Sequence, residues 1–383
     1  MPGDLTIEAL GVPFRISLGA GVDDDSAAHL REIWAAAHGD SSESARVYHA
    51  SIESDWIPAH AEPNRFVARD LRSLESTLSS RITLAAIEER KHDLVMLHGC
   101  AVARDDGAVY AFVGPSGRGK STLARSLASI AHYVTDETVG IDEDGRVLPH
   151  PKPLSIIDPE APDGLKTQVS PAALGLRDSE QRDLRIARIF LLDRRPDAVG
   201  VEIVPIGLGD SLEHLVPQLS YLPSLPRPLH RIAELYERVG GFALLSYSEA
   251  EDVTDAFAAG MLDAPGTAES FGPPPMVESS SEFDESLGAE GYRHLPAIDA
   301  IVAGDRLCLL HGSSVIVLDG IGPTVWSLTE TPVSLADLTR RVVEQHGEPE
   351  AGDAAVLVAH TVDELVEAGV LEQLGPAEDA GRR

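Results

Sequence analysis

Residues 97–141 read LHGCAVARDDGAVYAFVGPSGRGKSTLARSLASIAHYVTDETVGI. In and around this stretch, apolar runs at Leu94–Leu97, Ala108–Val113, Tyr133–Thr135 and Val139–Ile141 predict strands, and Lys120–Ile130 predicts one helix among them. Strand, Gly-rich turn, helix and strand is the alternation of an α/β domain. The turn itself, Gly114, Pro115, Ser116, Gly117, Arg118, Gly119, Lys120 and Ser121, followed by Thr122, has the spacing G-x-x-x-x-G-K-[ST]. Its glycines let successive backbone N–H groups curl around phosphate oxygens, and the helix that follows adds its N-terminal dipole. Lys120 is expected to reach the β and γ phosphates of ATP, and the Ser121 hydroxyl to ligate Mg²⁺.

Asp136 and Glu137 follow Tyr133–Thr135, at the C-terminal end of a strand expected beside the P-loop strand. One carboxylate can hold the Mg²⁺ while the other accepts a proton from an attacking hydroxyl. His98 closes the strand before the turn and is a further candidate for the site. Only four of the 31 basic side chains are lysine, at Lys91, Lys120, Lys152 and Lys166. Where arginine is the default cation, a lysine in the turn points to a need for a compact charge there.

Working outward, residues 1–60 predict a β-rich extension with strands such as Leu5–Leu10 and Arg46–Ile52 and a helical stretch around Ala27–Ala37. Leu71, Leu74, Leu78, Ile82 and Ile87 recur at helical spacing within 67–90. Strands at Ile186–Leu192, Val199–Val204 and Ala243–Leu245 and a helix at Leu229–Val239 extend the α/β domain over 61–262. Residues 263–291 turn to Pro, Gly, Ser and acidic side chains and predict a flexible linker. Beyond it, 292–374 predict three short strands (Ala297–Val302, Arg306–Leu310, Ser314–Leu318) and then helices at Thr324–Leu328, Leu335–His346 and Ala355–Ala368, a small α+β domain; 375–383 predict a disordered tail.

The chain has 383 residues, 43% hydrophobic and 24% charged, a globular balance, and no apolar run of bilayer length or basic leader, so a cytoplasmic location is expected. A formal charge of -31 argues against nucleic acid as a partner and makes a basic peptide or protein segment easier to attract. Two cysteines about two hundred positions apart, Cys100 and Cys308, support neither a disulfide framework nor a thiolate metal site.

The 97–141 run resembles the catalytic core of the HPr kinase/phosphorylase family, with its His-Gly, P-loop and strand ending in paired acids. The likeness is close over 94–160 and looser over 60–262. It implies the P-loop fold shared with phosphoenolpyruvate carboxykinase and phosphoryl transfer from ATP to a serine. It assigns Asp136 to the catalytic acid/base, Glu137 to the second acid and His98 to the active-site histidine. The family's second signature is not recognisable in GLKTQVSPAALGLRD, and the second acid is Glu rather than Asp. Both departures are similar to HPr-kinase-like proteins of peptide natural-product pathways. Residues 292–373, with LDGIGPTVW, LADLTRRVVEQHG and VDELVEAGVL, are similar to winged-helix PqqD-like RiPP recognition elements. In those, a precursor leader adds as a strand to the sheet edge; Trp326 is expected in the core.

Together the resemblances imply a serine/threonine kinase-like enzyme whose C-terminal domain captures a ribosomally made precursor peptide, raising the local concentration of its acceptor hydroxyl. The alternative is a nucleotide-binding scaffold that delivers the leader to other modifying enzymes. Self-association into a homo-oligomer stays open.

Overall fold

The computed structural model describes residues 3–39, 45–53, 64–157, 166–179, 183–264, 266, 269–274 and 291–375. Mixed sheets and helices make it an α/β protein, and among the described residues no helix is long and apolar enough to cross a membrane. The chain divides into two compact units. One comprises residues 1–206, 218–226 and 235–267; the other comprises 207–217, 227–234 and 268–383.

The first unit opens with a hairpin, β1 (Leu5–Ala9) and β2 (Val12–Leu18), whose tip Leu10–Gly11 has positive φ at both positions, 51° and 72°. That is the turn geometry matching the twist of paired strands. Every second residue of β2 is buried, and α1 (Asp24–Ile33), capped by the Asp23 carboxylate, leads to β3 (Arg46–Ile52) and β4 (Arg65–Ala68) in parallel register. Against this sheet lies α2 (Leu71–Glu89), begun by Asp70, which accepts the Ser73 N–H at 2.7 Å. Phe14, Ile16, Trp34 and Phe66 share one core with Leu74, Leu78 and Ile82 of the helix and with Leu94 and Met96. The expected extension of 1–60 is therefore built into the domain: its strands and the helix after it bury each other's apolar faces.

The strand expected to stop at Leu97 runs on as β5 (Val95–Ala103), so His98 sits mid-strand rather than at an end. Gly99 permits this by close crossing, since a Cβ there would stand 2.7 Å from the Phe112 carbonyl oxygen. Before the glycine β5 pairs with β8 (Thr138–Ile141); after it, with β6 (Ala108–Val113) and β7 (His132–Thr135), antiparallel throughout. β6 and β7 consequently run in the same direction with β5 between them, whereas the acid-bearing strand was expected to neighbour β6 directly. Helix α3 (Lys120–Leu127) ends three residues before the expected Ile130. β9 (Val147–Leu148) extends β8, and β10 (Leu154–Ile156) with β11 (Thr167–Val169) forms a separate hairpin. The large sheet is completed by β12 (Arg177–Asp178), β13 (Arg185–Arg194), β14 (Glu202–Ile206) and, later in the chain, β16 (Phe242–Tyr247), in the order β12-β7-β5-β6-β13-β16-β14. Leu123, Ala124 and Leu127 of α3 and Val253, Ala256 and Phe257 of α6 (Ala250–Ala258) share a core with Phe112, Phe190 and Leu245 of this sheet. A two-residue strand, β15 (Leu219–Ser220), adds to β5.

In the second unit β17 (Phe271–Gly272), β19 (Asp299–Ala303), β20 (Arg306–His311) and β21 (Ser314–Leu318) form an antiparallel sheet in that order. Leu307 and Leu309 of β20 face a core made by α7 (Gly322–Leu328), α8 (Leu335–His346) and α9 (Ala354–Glu367). Trp326 packs against this core and stacks on His294, 4.2 Å between centroids, from the small sheet β18 (Gly291–His294) with β22 (Leu371–Leu374). On the other face of β20, Cys308 is buried near Gly209 of α4 (Leu208–Leu215). Asp299 accepts the N–H of Leu229 at 2.8 Å, capping α5 (Pro228–Arg238), and Glu269 accepts that of Leu208 at 2.7 Å. Glu269 and β17 fall inside the stretch expected as linker; there they cap a helix and extend a sheet. Residues 275–290 of that linker, and 376–383 of the expected tail, lie outside the described residues.

Candidate functional site

The turn after β6 is set by two left-handed glycines, Gly117 and Gly119, each with φ of 83°. Among the described residues no side chain caps α3, which leaves its first N–H groups available at the turn. Lys120 folds back over the loop and donates to the carbonyl oxygens of Gly114 at 2.6 Å and Pro115 at 3.0 Å. Burial lowers its pKa against the opposing pull of neighbouring acids. Ser121 donates to Asp136 Oδ2 at 2.8 Å, and Tyr133 donates to Asp136 Oδ1 at 3.1 Å. Burial, then the Asp136 charge, pushes the Tyr133 phenol well above its usual range, which keeps it a donor. Asp136 is only 5% exposed, so its orientation is fixed from two sides.

His98 Nε2 lies 3.4 Å from Ser116 Oγ, and burial followed by the Lys120 charge lowers its pKa, favouring the neutral ring. Glu137 is turned toward Lys152, whose ammonium stands 3.1 Å from Glu137 Oε2 and 3.5 Å from Asp136 Oδ1 and donates to the Pro153 carbonyl at 3.2 Å. Burial opposes the charge on Lys152, yet the Asp136 and Glu137 carboxylates outweigh it and hold the pKa above the ordinary lysine value.

These groups line one cavity of about 560 Å³, and Ser116, Gly117, Gly119 and Thr122 lie on its wall as expected for the turn. Gly114 and Pro115 contribute through the carbonyls that hold Lys120. Arg118 does not line it; its guanidinium donates to the Arg194 carbonyl at 3.3 Å. Sequence reasoning missed Lys152, Lys166 and Arg125, which also reach the cavity. The signal was present in lysine usage, because three of the four lysines in the chain meet here.

As a metal site, the Ser121 hydroxyl and Asp136 carboxylate form an adjacent pair of hard oxygen donors that fits Mg²⁺. Glu137 is engaged elsewhere, by Lys152. In the second unit, β21 ends its sheet, pairing only with β20 among the described residues, and Val315, Ile316 and Val317 are half-buried. Comparison with protein-family models and with curated protein sequences finds no match to this chain.

Proposed function

We propose that the chain is an ATP-dependent kinase-like phosphotransferase that modifies a serine or threonine of a ribosomally made precursor peptide, whose leader docks on the second unit. The observation that carries this reading is the convergence of Lys120, Ser121 and Asp136 in one cavity beside a Gly-rich turn and an uncapped helix start. Lys120 exchanges its loop carbonyls for the β and γ phosphates, and the turn amides hold the remaining oxygens. The Ser121 hydroxyl, with Asp136 oriented beside it, would hold Mg²⁺, which would offset charge on the phosphates. An acceptor hydroxyl oxygen forms a bond to the γ phosphorus as the bond to the β-bridging oxygen breaks; the electron pair leaves with ADP, and the hydroxyl proton passes to Asp136. Neutral His98, beside Ser116, suits hydrogen bonding to phosphate or acceptor rather than charge pairing.

Leader capture is supported by the position of β21 at the end of its sheet, paired only with β20 among the described residues, where its half-buried valines suit strand addition. The reading is tested by incubating the protein with Mg²⁺, γ-labelled ATP and the short peptide encoded beside its gene. Label on the peptide, lost in Lys120→Ala, is expected. A peptide that binds yet never acquires label would overturn the catalytic reading and leave the scaffold.

A further inference from the structure

Four cationic side chains, Lys120, Arg125, Lys152 and Lys166, and two carboxylates, Asp136 and Glu137, line the cavity. The wall thus carries an excess of two positive charges in a chain whose formal charge is -31. Lys120 is accounted for by the turn. Lys152 belongs to no motif, is 2% exposed, and arrives on a segment that leads directly into β10.

Taking an ammonium out of water is costly, and it persists where paired charges offset the loss. Here the pairing is uneven. Glu137 Oε2 and the Pro153 carbonyl are within hydrogen-bonding range at 3.1 and 3.2 Å, whereas Asp136 Oδ1, at 3.5 Å, is too far for a strong hydrogen bond. The longest of the three contacts is therefore the one toward Asp136, the side on which the reacting phosphoryl group would sit. The carboxylates consequently divide their work: Asp136 faces the Ser121 hydroxyl, and Glu137 holds Lys152.

Resting on the kinase reading above, we infer that Lys152, positioned by Glu137, is a second phosphate-binding cation that takes an oxygen of the terminal phosphoryl group. Lys120 reaches the phosphates from the turn, and Lys152 reaches the γ group from the acid side. Charge spread over the equatorial oxygens during transfer is thereby met from two directions.

The test compares MgADP with the non-hydrolysable analogue MgAMP-PNP by calorimetry, in the wild type and in the double variant Glu137→Gln/Lys152→Met, which removes both members of that pair together. The expected result is near-unchanged MgADP affinity and at least a tenfold loss of relative affinity for MgAMP-PNP. An unchanged ratio in the folded variant overturns the inference while leaving the nucleotide site standing; a wild type that binds neither nucleotide removes both.

Should the variant not fold, ¹⁵Nζ-lysine NMR of the wild type decides, because the chain has only four lysines and Lys91→Arg and Lys166→Arg assign the two that are not buried. One buried-lysine signal is expected to move with MgADP and the other only with MgAMP-PNP. If a single buried signal moves under both conditions, Lys152 does not touch the phosphoryl group.

Discussion

The turn Gly114–Ser121 and the segment His150–Ile156 each deliver one lysine to the same cavity, by opposite means. In the turn, left-handed glycines shape the backbone, and Lys120 is held by carbonyls five and six residues away. In the segment, Lys152 is held mainly by carboxylates at the end of β7, and His150 behind it is anchored to α2. Conformation organises the first arrangement and paired charge the second. Local spacing betrays only the first.

That contrast can be broken most forcefully at Lys120. Lys120→Ala is expected to lower phosphoryl transfer by about a thousandfold, equivalent to about 4 kcal/mol of transition-state stabilisation, with the thermal midpoint little changed; comparable loss of fold and activity would place Lys120 in the charge-held class instead.

The segment should behave the other way. Lys152→Met strands Asp136 beside Glu137 and is expected to cost about 3 kcal/mol in urea unfolding, the low end of the range for a broken buried pair because Glu137 is partly exposed. Adding Glu137→Gln should restore a measurable part of it; no restoration would show that the pairing is not what holds the segment.

His150 sharpens the comparison through pH. Thr83 donates its hydroxyl to the Ser79 carbonyl at 2.8 Å, so at 2.9 Å it must accept from His150 Nε2, which leaves Nδ1 as a lone pair with no hydrogen-bond partner among the described residues. Burial, then the Lys152 charge, pushes the ring pKa down to about 4. The unfolded chain binds the extra proton first, so this contribution is present above the unfolded value near 6.5 and is lost as the pH falls toward 4. Between pH 7 and 4 the stability advantage of wild type over His150→Gln should shrink by roughly 3 kcal/mol; a gap that does not narrow would mean the ring is charged in the fold.

The smallest effect belongs to Gly117→Ala. Among the described residues nothing lies within 4 Å of the added Cβ, so the cost is that of the left-handed backbone, about 1 kcal/mol in denaturant unfolding. A far larger loss would reveal a contact that the turn conceals.

What could be read in the sequence follows the same division. Alternation and helical spacing locate β6, α3 and the last three helices because each signal lies within a few residues. The path of β5 was misread because Gly99 looks like a stop when it is a crossing, visible only once Phe112 lies alongside. That β5 separates β6 from β7 is a matter of partners distant in sequence, which no local pattern carries. Glu269 and Phe271–Gly272 were hidden in a polar, Pro-rich stretch because their roles, a helix cap and a two-residue strand, demand so few residues. At the site, the turn and the acids were legible from spacing. Lys152 was visible only as a rarity of composition, its meaning supplied by Asp136 and Glu137 in space.

The most direct test of the whole reading is to titrate MgATP into the wild type and into Lys120→Ala by calorimetry. A saturable one-site isotherm in the wild type, weakened at least tenfold in the variant, is the outcome predicted. A wild type that gives no saturable heat, or a variant that binds equally well, would contradict it.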